Sequence, residues 1–417
     1  MAKLSDFDDI RPYSSGELQP ALRDLLKDRQ FRVMLKGFAP WLPAFVIDNV
    51  LKLGFIGVRT TTDFQRRFMK HVVYYVLRKS SDGYTFHNHK SVTWERRYTF
   101  VSNHRDIVLD SAILDYLLFK AKAPTTCEIA IGDNLLIYPW IRILVKMNKA
   151  FIVHRSLTPK EMMKSSIKMS EYMHFAINEK KENIWIAQRE GRSKDSSDHT
   201  QESVLKMLAL GFDGSHADAL RDMNIVPLTI SYEYDPCDYL KAKEYQLKRD
   251  NPSYKKSRQD DLDNMKTGIF GYKGRIHYAT SPCINEWLDE LADLQAQEFY
   301  QEVARRMDTQ IHSNYRLFPG NYIALDRLNG TKEWTSQYTD ADKKRFDKYI
   351  EGQLAKIDIP DKDEAFLTER RYNELIERTT RLIDPHTDSL RIYLLANHTS
   401  VRSWGVGDRH VEDVIIF

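Results

Sequence analysis

Between Tyr98 and Leu114 the chain reads Tyr-Thr-Phe-Val-Ser-Asn-His-Arg-Asp-Ile-Val-Leu-Asp-Ser-Ala-Ile-Leu, a polar cluster that leaves one apolar run and enters another. The first run has strand character and the second helical character, so His104 stands at an exposed strand end with Asp106 and Asp110 one or two turns on. An imidazole in that position can take a proton from a hydroxyl while a carboxylate on its other nitrogen fixes the tautomer and stabilises the imidazolium. The chemistry this suits is general-base catalysis. Taken alone, the segment also fits a helix capped at Asn103-His104 with both acids solvated.

Two further strand ends carry charge. Lys149-Ala-Phe-Ile-Val-His154-Arg155-Ser156 closes an apolar run with cations, where a guanidinium can grip a phosphate in bidentate fashion. Ile184-Trp-Ile-Ala-Gln-Arg189-Glu190-Gly191-Arg192-Ser193-Lys194-Asp195 ends in a turn with glycine, carboxylate and cations, which beside backbone N–H groups makes an anion cradle. Each also fits a solvated surface loop. Ile225-Val-Pro227-Leu-Thr-Ile-Ser-Tyr232 is a nearly continuous apolar strand with a proline inside it. Proline cannot donate to a ladder, so this strand is expected at a sheet edge or beside a cavity.

One imitation is excluded by its surroundings. His104-Arg105-Asp106 resembles the protein-kinase catalytic loop, but Ser111 stands where that loop needs Asn, and the chain has neither Asp-Phe-Gly nor a GxGxxG phosphate loop. The histidines show no HExxH or comparable spacing, so no metal is expected.

The elements that carry these residues follow from apolar spacing. Short runs at Tyr98–Val101, Cys127–Ile131, Ala150–Val153, Ile184–Ala187, Ile225–Tyr232 and Arg275–Ala279 predict strands, and Ala112–Lys120, Trp140–Met147 and Lys160–Glu179 predict helices between them. This alternation predicts an α/β fold, a layered mixed and largely parallel sheet flanked by helices, with functional groups at strand ends. Residues 1–85 are expected to form an N-terminal helical region closing on a polar hinge at Lys79–Tyr84. The α/β catalytic domain then spans 86–320, and a mainly helical extension spans 321–417. Lys243–Lys266 reads as an exposed excursion, and a long helical pattern runs from Asn285 to His312.

Composition bounds the function. With 62 Lys and Arg against 59 Asp and Glu in 417 residues, the net charge is +3, which gives no support to nucleic-acid binding. Cys127, Cys237 and Cys283 lie too far apart for a zinc or redox motif and are expected as small core residues. The N-terminus carries acids where a signal peptide needs an apolar stretch, and no run reaches the ~18 apolar residues of a membrane span. A protein that is not exported, and is water-soluble or peripheral, is expected. Gly37–Ile47, continued by Phe55 and Ile56, reads either as a core helix or as an interfacial contact through Trp41, Phe45 and Phe55.

Asn103-His104…Asp110, Phe151-Ile-Val-His-Arg155, Glu190-Gly191-Arg192-Ser193 and Val226-Pro227-Leu-Thr-Ile, in that order, resemble the four blocks of the glycerolipid acyltransferase superfamily, the glycerol-3-phosphate and 1-acylglycerol-3-phosphate acyltransferases. The third block, and the Tyr-Glu-Tyr after the fourth, look closer to the glycerol-3-phosphate branch. The resemblance implies an O-acyltransferase of phospholipid biosynthesis that needs no cofactor. His104 and Asp110 would be catalytic, while Arg155, Glu190, Gly191, Arg192 and Ser193 would bind the acceptor. Its implied partners are an acyl thioester of CoA or carrier protein, a phosphate-bearing or lysolipid acceptor, and a membrane surface. An O-acyltransferase acting on another lipid, or an inactive lipid-binding relative, are the alternatives. The family's first block has four residues between His and Asp, whereas five separate His104 from Asp110 here, which keeps Asp106 in play as the orienting acid. The second block has Lys149 and Ala150 where the family usually has Gly.

Overall fold

The computed structural model describes residues 3–38, 43, 49, 55–155, 157–192, 198–383 and 415–416. The apolar runs become β2 (Thr99–Ser102), β3 (Cys127–Gly132), β4 (Ala150–Val153), β5 (Asn183–Ala187), β6 (Ile225–Tyr232) and β7 (Arg275–Thr280). Two more strands, β1 (Gly83–His87) and the two-residue β8 (Ile415–Ile416), complete a sheet ordered β4-β3-β5-β2-β6-β7-β1-β8. All neighbours are parallel except β6 and β7. The layered, largely parallel α/β architecture is therefore as the alternation predicts. The helices that cover both faces explain why β2 and β6 are buried along their whole length.

Two cores form because successive strand residues face opposite ways. Phe100, Val226, Ile230 and Tyr278 pack with the nearly all-apolar helix Leu109–Lys120. Val101, Ile184, Ile186 and Ile225 pack with helices Pro159–Asn178 and Ala296–Ser313. Phe7 and Ile10 join this second core, and the Ile10 carbonyl accepts the Ile152 N–H at 3.0 Å, so the N-terminal residues lie against the sheet. A third cluster unites Leu18, Leu22, Leu25, Phe31 and Phe64 with Met147. Phe55 belongs to it, with ring centroids 6.1 Å from Phe64 and 5.4 Å from Phe68, which favours the core reading for that residue. Trp41 and Phe45 lie outside the described residues. Among the described residues no helix is long and apolar enough to cross a membrane. All three cysteines are free and buried.

Four expectations need correction. The polar hinge at Lys79–Tyr84 contains the start of a strand. Gly83-Tyr-Thr-Phe-His87 buries only Phe86, too little for an alternation signal, yet β7 supplies it with a parallel ladder from Gly83↔Arg275 to His87↔Ala279. Pro227 is not on an edge strand, since β6 lies between β2 and β7. Its carbonyl accepts the Ser281 N–H at 2.9 Å, just past the last register pair Leu228↔Thr280, so the missing N–H falls at the ladder's end. Lys243–Lys266 is not an excursion but parts of two helices, Asp238–Asp250 and Arg258–Phe270, with Ala242, Gln246, Asn264 and Gly268 buried. The pattern from Asn285 begins as short 3-10 turns, and the long helix starts only at Ala296. Beyond it, Pro319–Asn329, Asp340–Leu354 and Glu364–Ile383 are helical.

Candidate active site

Parallel register aligns the carboxyl ends of four strands. Ser102 pairs with Ala187 and Gly132 with Val153, so the turns after β2, β5, β3 and β4 leave the sheet on one edge. His104, Arg189–Arg192, Asp133 and His154–Arg155 stand on those turns.

Asn103 continues the sheet with its side chain. Its amide nitrogen donates to the Ile230 carbonyl at 2.9 Å and its amide oxygen accepts the Ile230 N–H at 2.8 Å. Both orphan groups of β6 are thereby satisfied where β2 has ended. Next in the chain, His104 is 14% exposed, with Nδ1 2.9 Å from Asp110 Oδ2 and its ring edge-on to Trp185 at 5.9 Å. Nε2 of His104 has no hydrogen-bond partner among the described residues.

The rivalry between the two acids is resolved by geometry. Asp110 is fully buried, and the oxygen that faces His104 also accepts the N–H groups of Arg105 at 2.6 Å and Asp106 at 3.0 Å. Its other oxygen accepts the Tyr232 hydroxyl at 3.3 Å. Asp106 instead turns toward the following helix, where one oxygen accepts the N–H groups of Val108 and Leu109, both at 2.8 Å. Burial, reinforced by the Asp110 charge, holds the Asp106 pKa above the ordinary carboxylate range. The extra residue between His104 and Asp110 is absorbed in this turn.

Arg105 points into a buried ionic cluster. It lies 3.5 Å from Asp235 and 3.8 Å from Asp198, and Lys241 reaches Asp235 at 2.6 Å. Burial raises the Asp198 pKa, opposed by Arg105, Lys241, Arg189 and His104, which puts this carboxylate within electrostatic reach of the imidazole. Asp198 and Lys241 were missed in the sequence because nothing local distinguishes them from solvated charges.

The anion cradle divides into two parts. Arg155 is paired at 2.9 Å with Glu190, and its backbone N–H donates to Asp133 at 3.2 Å. Asp133 also holds His154 Nδ1 at 3.1 Å. Gly191 has φ of +70°, a left-handed conformation that glycine adopts without penalty. Beyond it, Arg192 is directed to a different partner, donating from Nη2 to Asn264 Oδ1 at 2.9 Å. Its Nη1 is shut off from solvent, and the Cys237 thiol lies within hydrogen-bonding reach of the guanidinium. Desolvation works to lower the Arg192 pKa, but the surrounding charges, Asp235 and Asp106 among them, raise it on balance. Ser193 lies outside the described residues. Asn264 was not singled out in the sequence, where it is one polar residue in a polar helix. Among the described residues no group of three or more His, Cys, Asp or Glu side chains could hold a metal ion.

Residues 83–231 match the family model described as Acyltransferase, from the first residue of β1 to the penultimate residue of β6. The match agrees with the four blocks read from the sequence, and the matched stretch contains His104, Asp110, Arg155 and Glu190–Arg192. Among solved structures, the 1-acyl-sn-glycerophosphate (LPA) acyltransferase PlsC from Thermotoga maritima matches at 11% identity and a TM-score of 0.36. The match covers 72% of this chain and 99% of that one, and at that similarity it supports no further argument. No curated protein matches.

Proposed function

We propose that the chain transfers a fatty acyl group from an acyl thioester, carried on CoA or a carrier protein, to a hydroxyl of glycerol-3-phosphate or its monoacyl form. The observation that carries this reading is the open Nε2 of His104 on a ring whose Nδ1 is held by Asp110 at 2.9 Å. With the proton on Nδ1 and donated to Asp110, the Nε2 lone pair is the base. It takes the hydroxyl proton as the acceptor oxygen attacks the thioester carbonyl. The tetrahedral intermediate then expels the thiolate, and the imidazolium returns the proton to sulfur. No covalent acyl-enzyme forms, and the product is a phospholipid precursor.

Arg155 and Arg192 hold the acceptor phosphate, with Glu190 and Gly191 shaping the turn around it. The Arg155–Glu190 pair is exposed and weak, so a phosphate dianion displaces the carboxylate at small cost. Arg192 stands two residues past Glu190 on the same strand-end turn, which supports the second contact. A long acyl chain and an amphiphilic product make a cytoplasmic membrane surface the natural workplace, and the site residues supply the chemistry without a cofactor.

Incubation of the purified protein with labelled acyl-CoA or acyl-carrier protein and, separately, glycerol-3-phosphate, its monoacyl form and a phosphate-free lysolipid tests the reading. Transfer to a phosphorylated acceptor is expected; transfer only to the phosphate-free lipid overturns the acceptor assignment, and no transfer with either CoA or carrier-protein thioesters overturns the activity.

A further inference from the structure

The matched acyltransferase segment ends at Ser231, yet the site does not. Helix Arg258–Phe270 lies against two of its turns. Its Gly268 approaches so closely that a Cβ there would run into an Asp106 carboxylate oxygen, and its Asn264 accepts from Arg192 Nη2 at 2.9 Å. The Asn264 side-chain amide nitrogen donates to the Asp260 backbone carbonyl at 2.7 Å, and its backbone carbonyl accepts the Cys237 thiol at 3.3 Å. Asn264 is buried, and the helix that carries it starts on a capping box at Ser257 and Asp260.

We infer that Asn264 is the positioning residue for Arg192, setting from outside the matched segment the guanidinium that receives the acceptor's anionic group. The argument is electrostatic. Arg192 sits within the field of two buried carboxylates, Asp106 and Asp235. A guanidinium left to itself there closes on one of them in a bidentate pair and is lost to an incoming anion. A neutral amide oxygen occupies one nitrogen without cancelling the charge. An aspartate at 264 offers the same oxygen in the same place but neutralises the cation. The amide, rather than a carboxylate, is the choice that keeps Arg192 both placed and charged.

This rests on the acceptor role of Arg192, and the experiment separates the two. Wild type, Asn264→Asp, Asn264→Ala and Arg192→Ala are compared by calorimetric binding of glycerol-3-phosphate and by steady-state kinetics with acyl-CoA, with Tm as a control. Both Asn264 variants are expected to weaken glycerol-3-phosphate binding and raise its KM about tenfold or more, Asn264→Asp at least as much as Asn264→Ala, with the thioester KM nearly unchanged and both proteins still folded. A purely structural role would move the thioester KM and the acceptor KM together in both variants. Wild-type binding in Asn264→Asp alongside weakened binding in Arg192→Ala overturns the inference alone. Wild-type binding in Arg192→Ala overturns the acceptor reading of that arginine and the inference with it.

Discussion

Oδ2 of Asp110 stands 2.9 Å from Nδ1 of His104 and accepts, on the same atom, the N–H groups of the next two residues, Arg105 and Asp106. One buried oxygen thus fixes both the ring and the turn that carries it. His104→Ala is expected to abolish transfer in a folded protein. Asp110→Asn should lower kcat by ~10²–10⁴-fold, since an amide either donates to Nδ1 or turns the wrong tautomer outward. Asp106→Asn, whose remaining oxygen can still take the Val108 and Leu109 N–H groups, should leave kcat nearly unchanged. Equal losses for the two asparagine variants in steady-state assays would remove Asp110 from its assigned role.

Arg155 offers a test at the rim. Its ion pair with Glu190 is exposed, so Arg155→Ala should cost less than ~1 kcal/mol of stability. The same change should raise the acceptor KM well above any effect on the thioester KM, as expected for loss of a phosphate contact. Glu190→Gln, which frees the guanidinium, should not raise it. A thioester KM that moves in step with the acceptor KM would contradict this.

Gly268→Ala reverses a common expectation. In a helix interior the change usually stabilises by ~0.8–1.0 kcal/mol, but here the added methyl meets the Asp106 carboxylate on the turn that orients His104. A loss of ~1–3 kcal/mol is expected from the forced shift, with a fall in kcat. Thermal unfolding of the variant above the wild-type Tm would show that the contact is slack.

Asp115 predicts a pH dependence of stability. It is buried on the helix that begins at Leu109, held by the Cys127 N–H at 2.8 Å and the Gln65 amide at 3.0 Å, with Lys149 and Glu182 nearby. Burial pushes its pKa up to about 7. The folded state therefore holds a proton that the unfolded chain, with an ordinary carboxylate, has released. Stability from this group is full at acid pH, falls from about pH 4 to about pH 7 by at most ~1.4 kcal/mol per unit, and is level above. Urea unfolding across pH 4.5–7.5 should show this slope in wild type relative to Asp115→Asn. Parallel curves for the two proteins would refute it.

Much of the framework was legible before any fold was known. β4 and β6 begin and end where their apolar runs do, and β2, β3, β5 and β7 lie within one residue of theirs. Such runs report burial on both faces, a property each segment carries in its own residues. β1 was invisible because a single buried Phe86 makes no pattern, and it is a strand only because β7 lies beside it. The helix Arg258–Phe270 was read as solvent-exposed because its surface is mostly polar, although the side that matters presents Asn264 and Gly268 to the site.

By itself the amino-acid order determined that an imidazole, two acids and two cationic turns lie at strand ends, because strand and turn propensities act over a few residues. Only the tertiary structure decided that Asp110 rather than Asp106 meets His104, that Arg155 pairs with Glu190, and that Arg192 turns to Asn264, 72 residues away. Which side chains meet across such separations depends on strand order and on how tightly each turn closes, and neither is encoded within the segments that meet.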